Sequence, residues 1–140
     1  IRANVTNEVK TIEQNVSQVN GAETVVKDYG ETEVDDRKAI VDRFQDPDNR
    51  LKYVVGQTRT GGYGLALTEA KTVVYYSNNF DLEIRLQSED RAHRIGQTSK
   101  VTYIDIVADK TVDERILKAL RNKINIASQV LAEDFREWIV

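Results

Sequence analysis

The sequence predicts an α/β fold built on a mostly parallel β-sheet with helices on its faces. Helical and strand-like segments alternate along the chain, which is typical of βα units that bring parallel strands together. Residues 73–76 form an unbroken apolar and aromatic run, as expected of a strand that is buried on both faces. A length of 140 residues suits one domain with its own hydrophobic core.

The amino-terminal part of the chain is predicted to form two helices and two strands. A helix over residues 7–19 places Val9, Ile12, Val16 and Val19 at helical spacing, and Gly21 is expected to end it. A strand over residues 24–29 and a helix over residues 32–45, capped by Thr32, come next. The second strand covers residues 51–57. Residues 1–4 are expected to start inside or just after the first strand, so that the sheet lacks an edge or central strand.

The carboxyl-terminal part repeats this alternation. A glycine-rich run at residues 61–64 precedes a strand over residues 72–76 and a helix over residues 81–94, whose inner side is predicted to carry Leu82, Ile84 and Leu86. A strand over residues 101–107 precedes the last long helix. Asp113 and Glu114 are interpreted as capping groups of that helix beside Thr111. The apolar side chains of the tail, residues 133–140, cover either this domain's own core or segments of a larger protein.

Composition excludes several kinds of site. Cysteine is absent and His93 is the only histidine, so disulfides are excluded and no metal site is expected. No apolar run approaches the roughly 20 residues of a membrane-spanning helix, and no membrane partner is expected. The net charge is -3, so any contact with DNA must use a local basic patch. Because methionine is absent and the chain opens at Ile1, a fragment of a longer protein is expected.

The side chains best suited to chemistry are Gln87, Arg91 and Arg94. They are four and three residues apart, so on a helix they can face one way. An amide and two guanidinium groups can clamp phosphate oxygens, and arginine keeps its charge at working pH. The alternative is that these are solvated helix charges paired with Glu89 and Asp90, and spacing alone does not decide between the two.

Longer motifs favour the first interpretation. Residues 87–97 (QSEDRAHRIGQ) resemble motif VI of the Swi/Snf-type branch of superfamily 2 helicases, and residues 58–68 (TRTGGYGLALT) resemble its motif V. Weaker similarities lie at residues 37–44 and 111–116. Two departures, Ala66 in place of asparagine and residues 80–82 (FDL) in place of Trp-Asn-Pro, indicate a divergent branch, such as a phage or bacterial one.

The resemblance implies a RecA-like three-layer sandwich in which residues 1–132 form the second, or helicase C-terminal, lobe, truncated at its first strand. It also implies roles for single residues. Arg91 and Arg94 would be arginine fingers, and Gln87 would help to orient the γ-phosphate. Two glycines, Gly62 and Gly64, would approach the nucleotide together with these three residues. The DNA backbone would be contacted by Thr58, Arg59 and Gly61.

The implied cofactors and partners lie largely outside this chain. No Gly-Lys dipeptide is present, so the usual phosphate-binding loop is missing. ATP and Mg²⁺ would therefore be held by an N-terminal RecA-like lobe of the same protein, and the isolated fragment is expected to hold no cofactor and to be inactive. The other partner would be double-stranded DNA, in the cytoplasm of a bacterial or phage-infected cell, or in the nucleus of a eukaryote. The alternatives are a non-catalytic docking module and an RNA-directed helicase.

Overall fold

A computed structural model describes residues 1–59, 65–92 and 97–131 as a five-stranded sheet with four α-helices. All strand pairs are parallel, and the strand order is β2-β3-β1-β4-β5. This confirms the predicted α/β fold with a parallel sheet. In chain order the elements are β1 (Arg2–Ala3), α1 (Thr6–Asn20), β2 (Val25–Asp28), α2 (Val34–Gln45), β3 (Tyr53–Gln57), β4 (Thr72–Tyr75), α3 (Leu82–Asp90), β5 (Thr102–Asp105) and α4 (Val112–Leu131).

The first strand lies at the centre of the sheet. Although β1 has only two residues, it pairs with β3 on one side and with β4 on the other. The central strand is therefore present. A cavity of about 520 Å³ opens beside the amino ends of β3 and β4, next to residues that β1 does not reach, among them Val54, Thr72 and Val73.

Helix α1 covers one face of the sheet through an aliphatic core. Ala3, Val9, Val25 and Val55 are buried there, and Ile12 and Val16 pack against them. Val19, predicted to continue this stripe, is 83% exposed, so that part of the prediction is wrong. Gly21 ends the helix as predicted: its φ of 99° is readily adopted only by glycine, and its N–H donates to the carbonyl of Ser17.

Helices α2 and α3 cover the opposite face. Two further core clusters lie beneath them, one of Ile40, Val54, Leu65 and Leu67, the other of Val73, Tyr75, Ala92 and Val101. Helix α2 starts at Val34 with Glu33 at the N-cap position, so the predicted Thr32 cap is wrong. The Thr32 hydroxyl instead accepts a hydrogen bond from the backbone N–H of Tyr29 and closes the preceding turn.

The inner side of α3 is polar. Arg85 and Ser88 are its buried residues, whereas Leu82, Ile84 and Leu86 are only half-buried, so the predicted apolar inner side is wrong. Asp81 caps the helix by accepting from the N–H of Ile84. The helix ends at Asp90, and residues 93 and 94 of the predicted span lie outside the described residues.

Helix α4 is capped by Thr111, whose hydroxyl accepts from the N–H of Asp113. Asp113 accepts from the N–H of Ala108, and Glu114 accepts from the N–H of Lys110. Both carboxylates therefore satisfy backbone donors ahead of the helix, but Glu114 bonds to Lys110 and not to Thr111, the partner that the predicted capping box requires. Across the ranges that the structure covers, no helix combines the length and the apolar character needed to span a membrane.

Candidate functional site

A row of five residues crosses the sheet near the carboxyl ends of its strands. The register pairs Asp28 with Gly56, Gly56 with Arg2, Arg2 with Tyr75 and Tyr75 with Asp105, so every strand contributes one residue. Residues at one register position of a parallel sheet point to the same face, here the face under α2 and α3. The carboxyl edge of an open α/β sheet is where ligands bind.

The β4 and β5 end of the row is a compact ionic network around Arg85, which we call the Arg85 cluster. The Arg85 guanidinium donates to Asp105 Oδ1 at 2.6 Å, to Glu89 Oε1 at 2.5 Å and to Asn78 Oδ1 at 2.7 Å. Its Cζ also lies 3.5 Å from the centroid of the Tyr75 ring. One cation thus meets two carboxylates and an aromatic face, an arrangement that satisfies a buried guanidinium.

Titration shifts reflect this network. Burial acts to lower the pKa of Arg85, but the hydrogen bond to Asp105 and the further contacts outweigh it, and the pKa is raised. Burial acts to raise the pKa of Asp105, but the Arg85 guanidinium outweighs it, and that pKa is lowered. Each partner therefore stabilises the charged form of the other.

Tyr75 stands between Arg2 and Asp105 in the row and is fully buried. Its hydroxyl lies 2.5 Å from Ser88 Oγ, and Ser88 Oγ itself donates to the carbonyl of Arg85. Because a serine hydroxyl has one proton, Tyr75 is the donor of the pair. Burial raises the pKa of Tyr75 to about 12, so the ring remains a neutral spacer between the two ends of the row.

The end of the row at β2, β3 and β1 has more arginines than carboxylates. Asp28 is 1% exposed and accepts from Arg37 Nε at 3.0 Å, while Arg37 Nη2 donates to the carbonyl of Tyr29. Arg2 is also buried, and its Nη1 lies 3.0 Å from the position that a Cβ on Gly56 would occupy. Glycine at position 56 therefore leaves the room through which Arg2 passes toward Asp28.

Arg91 joins this group from the end of α3. It is 7% exposed, and its carbonyl accepts from the N–H of Leu67, which joins the motif V segment to the motif VI segment. Burial lowers the pKa of Arg91, with Asp28 acting against the shift and Arg37 adding to it. Burial and the charge of Arg91 lower the pKa of Arg2 to about 10. We call Asp28, Arg2, Arg37 and Arg91 the Asp28 cluster.

Other candidate residues are placed differently. Gln87 is exposed and donates to Glu83 Oε1 at 3.1 Å on the outer side of α3, so the structure does not bring its amide into the buried layer that holds Arg91. Arg94 lies outside the described residues, as do Gly61, Gly62 and Gly64. Their assigned roles stay predictions.

The residues predicted to contact DNA also differ from each other. Thr58 is 5% exposed, and both its N–H and its hydroxyl donate to the carbonyl of Ala3. It thus fixes the backbone at the end of β3. Arg59 follows it and is exposed, so of these two residues Arg59 has the side chain that is accessible to a phosphate.

Two glutamines that the sequence did not single out hold the motif V segment. The Gln97 amide donates to the carbonyls of Thr68 and Ala92. The Gln45 amide donates to the carbonyl of Ala66, and its Oε1 accepts from the Thr68 hydroxyl. Gln97 stands in the motif VI string, but nothing in its spacing indicates that it bonds to backbone rather than to a ligand.

Neither the cavity nor a metal centre is a better candidate for the functional site than the polar row. The 520 Å³ cavity opens mainly toward the amino ends of the strands, beside the short β1, and of the five residues of the polar row only Arg2 lines it. Among the residues that the structure describes, no group of three or more histidine, cysteine, aspartate or glutamate side chains is arranged to hold a metal ion. The carboxyl edge therefore remains the better candidate.

Comparisons with known proteins point in one direction. The family model for the "Helicase conserved C-terminal domain" matches residues 3–96. The Protein CHROMATIN REMODELING 19 of Arabidopsis thaliana is 43% identical over 102 residues, which are 73% of this chain and 13% of the relative. The Chromatin structure-remodeling complex subunit snf21 of Schizosaccharomyces pombe is 37% identical over 102 residues, 73% of this chain and 8% of the relative. This chain therefore spans a small part of these relatives.

A solved structure agrees with them. The crystal structure of the C-terminal part of the Fun30 ATPase domain superposes with a TM-score of 0.76 at 26% identity, covering 85% of this chain and 38% of that one.

Proposed function

Because the chain belongs to the helicase conserved C-terminal domain family, in its Swi/Snf-type branch, we propose that it acts as the C-terminal motor lobe of an ATP-dependent DNA translocase. The observation that supports this most is the Asp28 cluster, in which Arg91 of the motif VI segment lies with two further arginines at the carboxyl edge of the sheet. Guanidinium groups at that edge suit a polyanionic ligand.

In this proposal ATP and Mg²⁺ are held mainly by an N-terminal RecA-like lobe, because this chain has no Gly-Lys dipeptide with which to build a phosphate-binding loop. ATP supplies the phosphoryl group that is transferred to water. The guanidinium groups of Arg91 and Arg94 offset the negative charge that develops on that group. Gln87, Gly62 and Gly64 complete the nucleotide side of this lobe.

Arg91 can act as an arginine finger only if its buried side chain becomes accessible to the nucleotide. At 7% exposure, its guanidinium must become accessible when the two lobes close over the nucleotide. Catalytic contacts commonly tighten only in the closed complex, so the burial of Arg91 in the separate lobe is compatible with a finger role. The separate lobe is expected to be inactive, because it lacks the usual phosphate-binding loop.

DNA is proposed to lie beside the motif V segment. Arg59 is exposed and positively charged, while Thr58 fixes the backbone from which Arg59 projects. Gly61 is the third member of this proposed surface. We propose double-stranded DNA as the substrate and, since the relatives are chromatin-remodelling proteins, the nucleus as the location. The division into a lobe over residues 1–132 and a tail over residues 133–140 is also a proposal.

A second candidate function is a non-catalytic docking module. Two observations favour it: Arg91 is buried, and Gln87 bonds to Glu83 within its own helix. Such a module would bind DNA or protein while its arginines only stabilise the fold.

The test uses the full-length protein and measures ATP turnover and DNA affinity separately. Arg91→Ala is expected to reduce DNA-stimulated turnover by about 10³-fold, as removal of an arginine finger does, while DNA affinity stays within about threefold, because the finger contributes to the transition state rather than to DNA binding. Arg50→Ala, at a side chain that is 82% exposed, is the matched control. Equal loss of turnover and DNA affinity, or unchanged turnover, would contradict the finger role and favour the docking module.

A further inference from the structure

Three arginines reach the Asp28 cluster from three different elements. Arg2 comes from β1, Arg37 from α2 and Arg91 from the end of α3, and all three interact electrostatically with the carboxylate of Asp28. Like charges repel at short range, and the repulsion is stronger where water is excluded. Asp28 is thus the anion common to three guanidinium groups that repel one another.

We propose that Asp28 is a positioning residue that holds Arg37 and Arg91 in place at the carboxyl edge of the sheet for an anionic ligand, an inference that rests on the motor function proposed above. The carboxylate is fixed in turn. It is 1% exposed at the last residue of β2, and Arg37 Nε lies 3.0 Å from its Oδ1.

The geometry gives Asp28 this role rather than a catalytic one. Arg37 pairs with the carboxylate, Arg91 is buried at the end of α3, which covers the same face of the sheet, and the carboxylate is nearly inaccessible to solvent. A group enclosed in this way does not touch the reacting atoms. Its effect passes through the guanidinium groups, whose orientation decides how well they meet a phosphoryl group.

The test is a double-mutant cycle on ATP turnover by the full-length protein. Asp28→Asn keeps the shape and removes the charge, so it should lower kcat by about 10- to 100-fold, as a misplacement of catalytic groups does, with a smaller change in KM for ATP. In the Arg91→Ala background the same change should alter kcat by less than about twofold, because the group that Asp28 positions is gone. Asp42→Asn, an exposed aspartate on the same helix as Arg37, is the matched control.

The outcomes separate this inference from the function on which it rests. If Arg91→Ala leaves turnover intact, the proposed motor role fails. If Arg91→Ala abolishes turnover but Asp28→Asn has no effect, or lowers kcat equally in both backgrounds, Asp28 does not position Arg91 and only this inference is overturned. Should Asp28→Asn not fold, Asp28→Glu carries the same cycle, since it keeps the charge and displaces it by one methylene; its loss of kcat must likewise disappear in the Arg91→Ala background.

Discussion

The Arg85 cluster and the Asp28 cluster lie on one face of one sheet, yet carboxylates outnumber arginines in the first and arginines outnumber carboxylates in the second. Arg85 donates to two carboxylates and stacks on Tyr75. At the other end of the row, Arg37 pairs with Asp28 at 3.0 Å, and the charges of Arg2 and Arg91 also interact with that single carboxylate. Tyr75, whose pKa burial raises to about 12, separates the two as a neutral ring.

This difference shows how one residue type can serve two purposes on the same helix. A guanidinium matched by acceptors, as in the Arg85 cluster, joins α3 to the ends of β4 and β5. Cations that share a single anion repel one another, and an added anion such as a phosphate relieves that repulsion. Excess positive charge in a buried cluster therefore indicates a binding role more strongly than the presence of arginine alone.

The strongest test of this difference in charge balance is to remove one arginine from each cluster. Arg85→Ala leaves Asp105 and Glu89 without their cation and should lower the free energy of unfolding by about 3 kcal/mol. Arg37→Ala should cost less, about 1–2 kcal/mol, because Arg2 and Arg91 still interact electrostatically with Asp28 and some repulsion is relieved. Chemical denaturation of both variants gives the two values. A loss for Arg37→Ala as large as that for Arg85→Ala would mean that the clusters do not differ in charge balance.

A smaller effect is expected from filling the space above Gly56. A Cβ there would meet Arg2 Nη1 at 3.0 Å and the Asp28 carbonyl at 3.1 Å, so Gly56→Ala should lower the free energy of unfolding by about 1–3 kcal/mol through overpacking. Gly30→Ala is the matched control, because no atom lies within 4 Å of its Cβ position. There the same change should be neutral or stabilise by up to about 1 kcal/mol. Equal effects at the two positions would show that Arg2 does not need the room at Gly56.

Much of the fold could be predicted because its signals are local. The alternation of segments indicated the parallel sheet, and Gly21 and Asp113 end or begin helices through contacts within a few residues. Thr32 was assigned wrongly as a cap because its hydroxyl closes a turn at Tyr29, and this competing bond is also local.

The polar row could not be predicted, because the strand register brings together residues that are far apart in sequence. Nothing near Asp28 shows that Arg2 will lie across Gly56 from it. The inner side of α3 was predicted wrongly for the same reason. Arg85 and Ser88 are buried since Tyr75 and Asp105 offer them partners on the sheet below, and the periodicity of α3 alone favours its leucines.

The smallest predicted effect is on how the stability of the Arg85 cluster changes with pH in acid. Since the pKa of Asp105 is lowered in the folded state, its ion pair contributes stability that is fully present above the pKa of an unfolded aspartate, about 3.9. That contribution is lost as the pH falls through the folded-state value. Asp105→Asn removes the titrating group, so below about pH 4 the free energy of unfolding should fall less steeply with pH in the variant than in the unmodified protein.

The measurement is a series of denaturation curves between neutral pH and acid for the two proteins. Parallel pH profiles would show that Asp105 does not balance Arg85. If the profiles diverge as expected, acid has removed the anion that distinguishes the Arg85 cluster, and Glu89 is left as its remaining carboxylate partner. The ratio of cations to anions in the Arg85 cluster would then approach the ratio in the Asp28 cluster, although no other residue has changed. The balance of ions, rather than the presence of an arginine, would therefore be what distinguishes the two clusters.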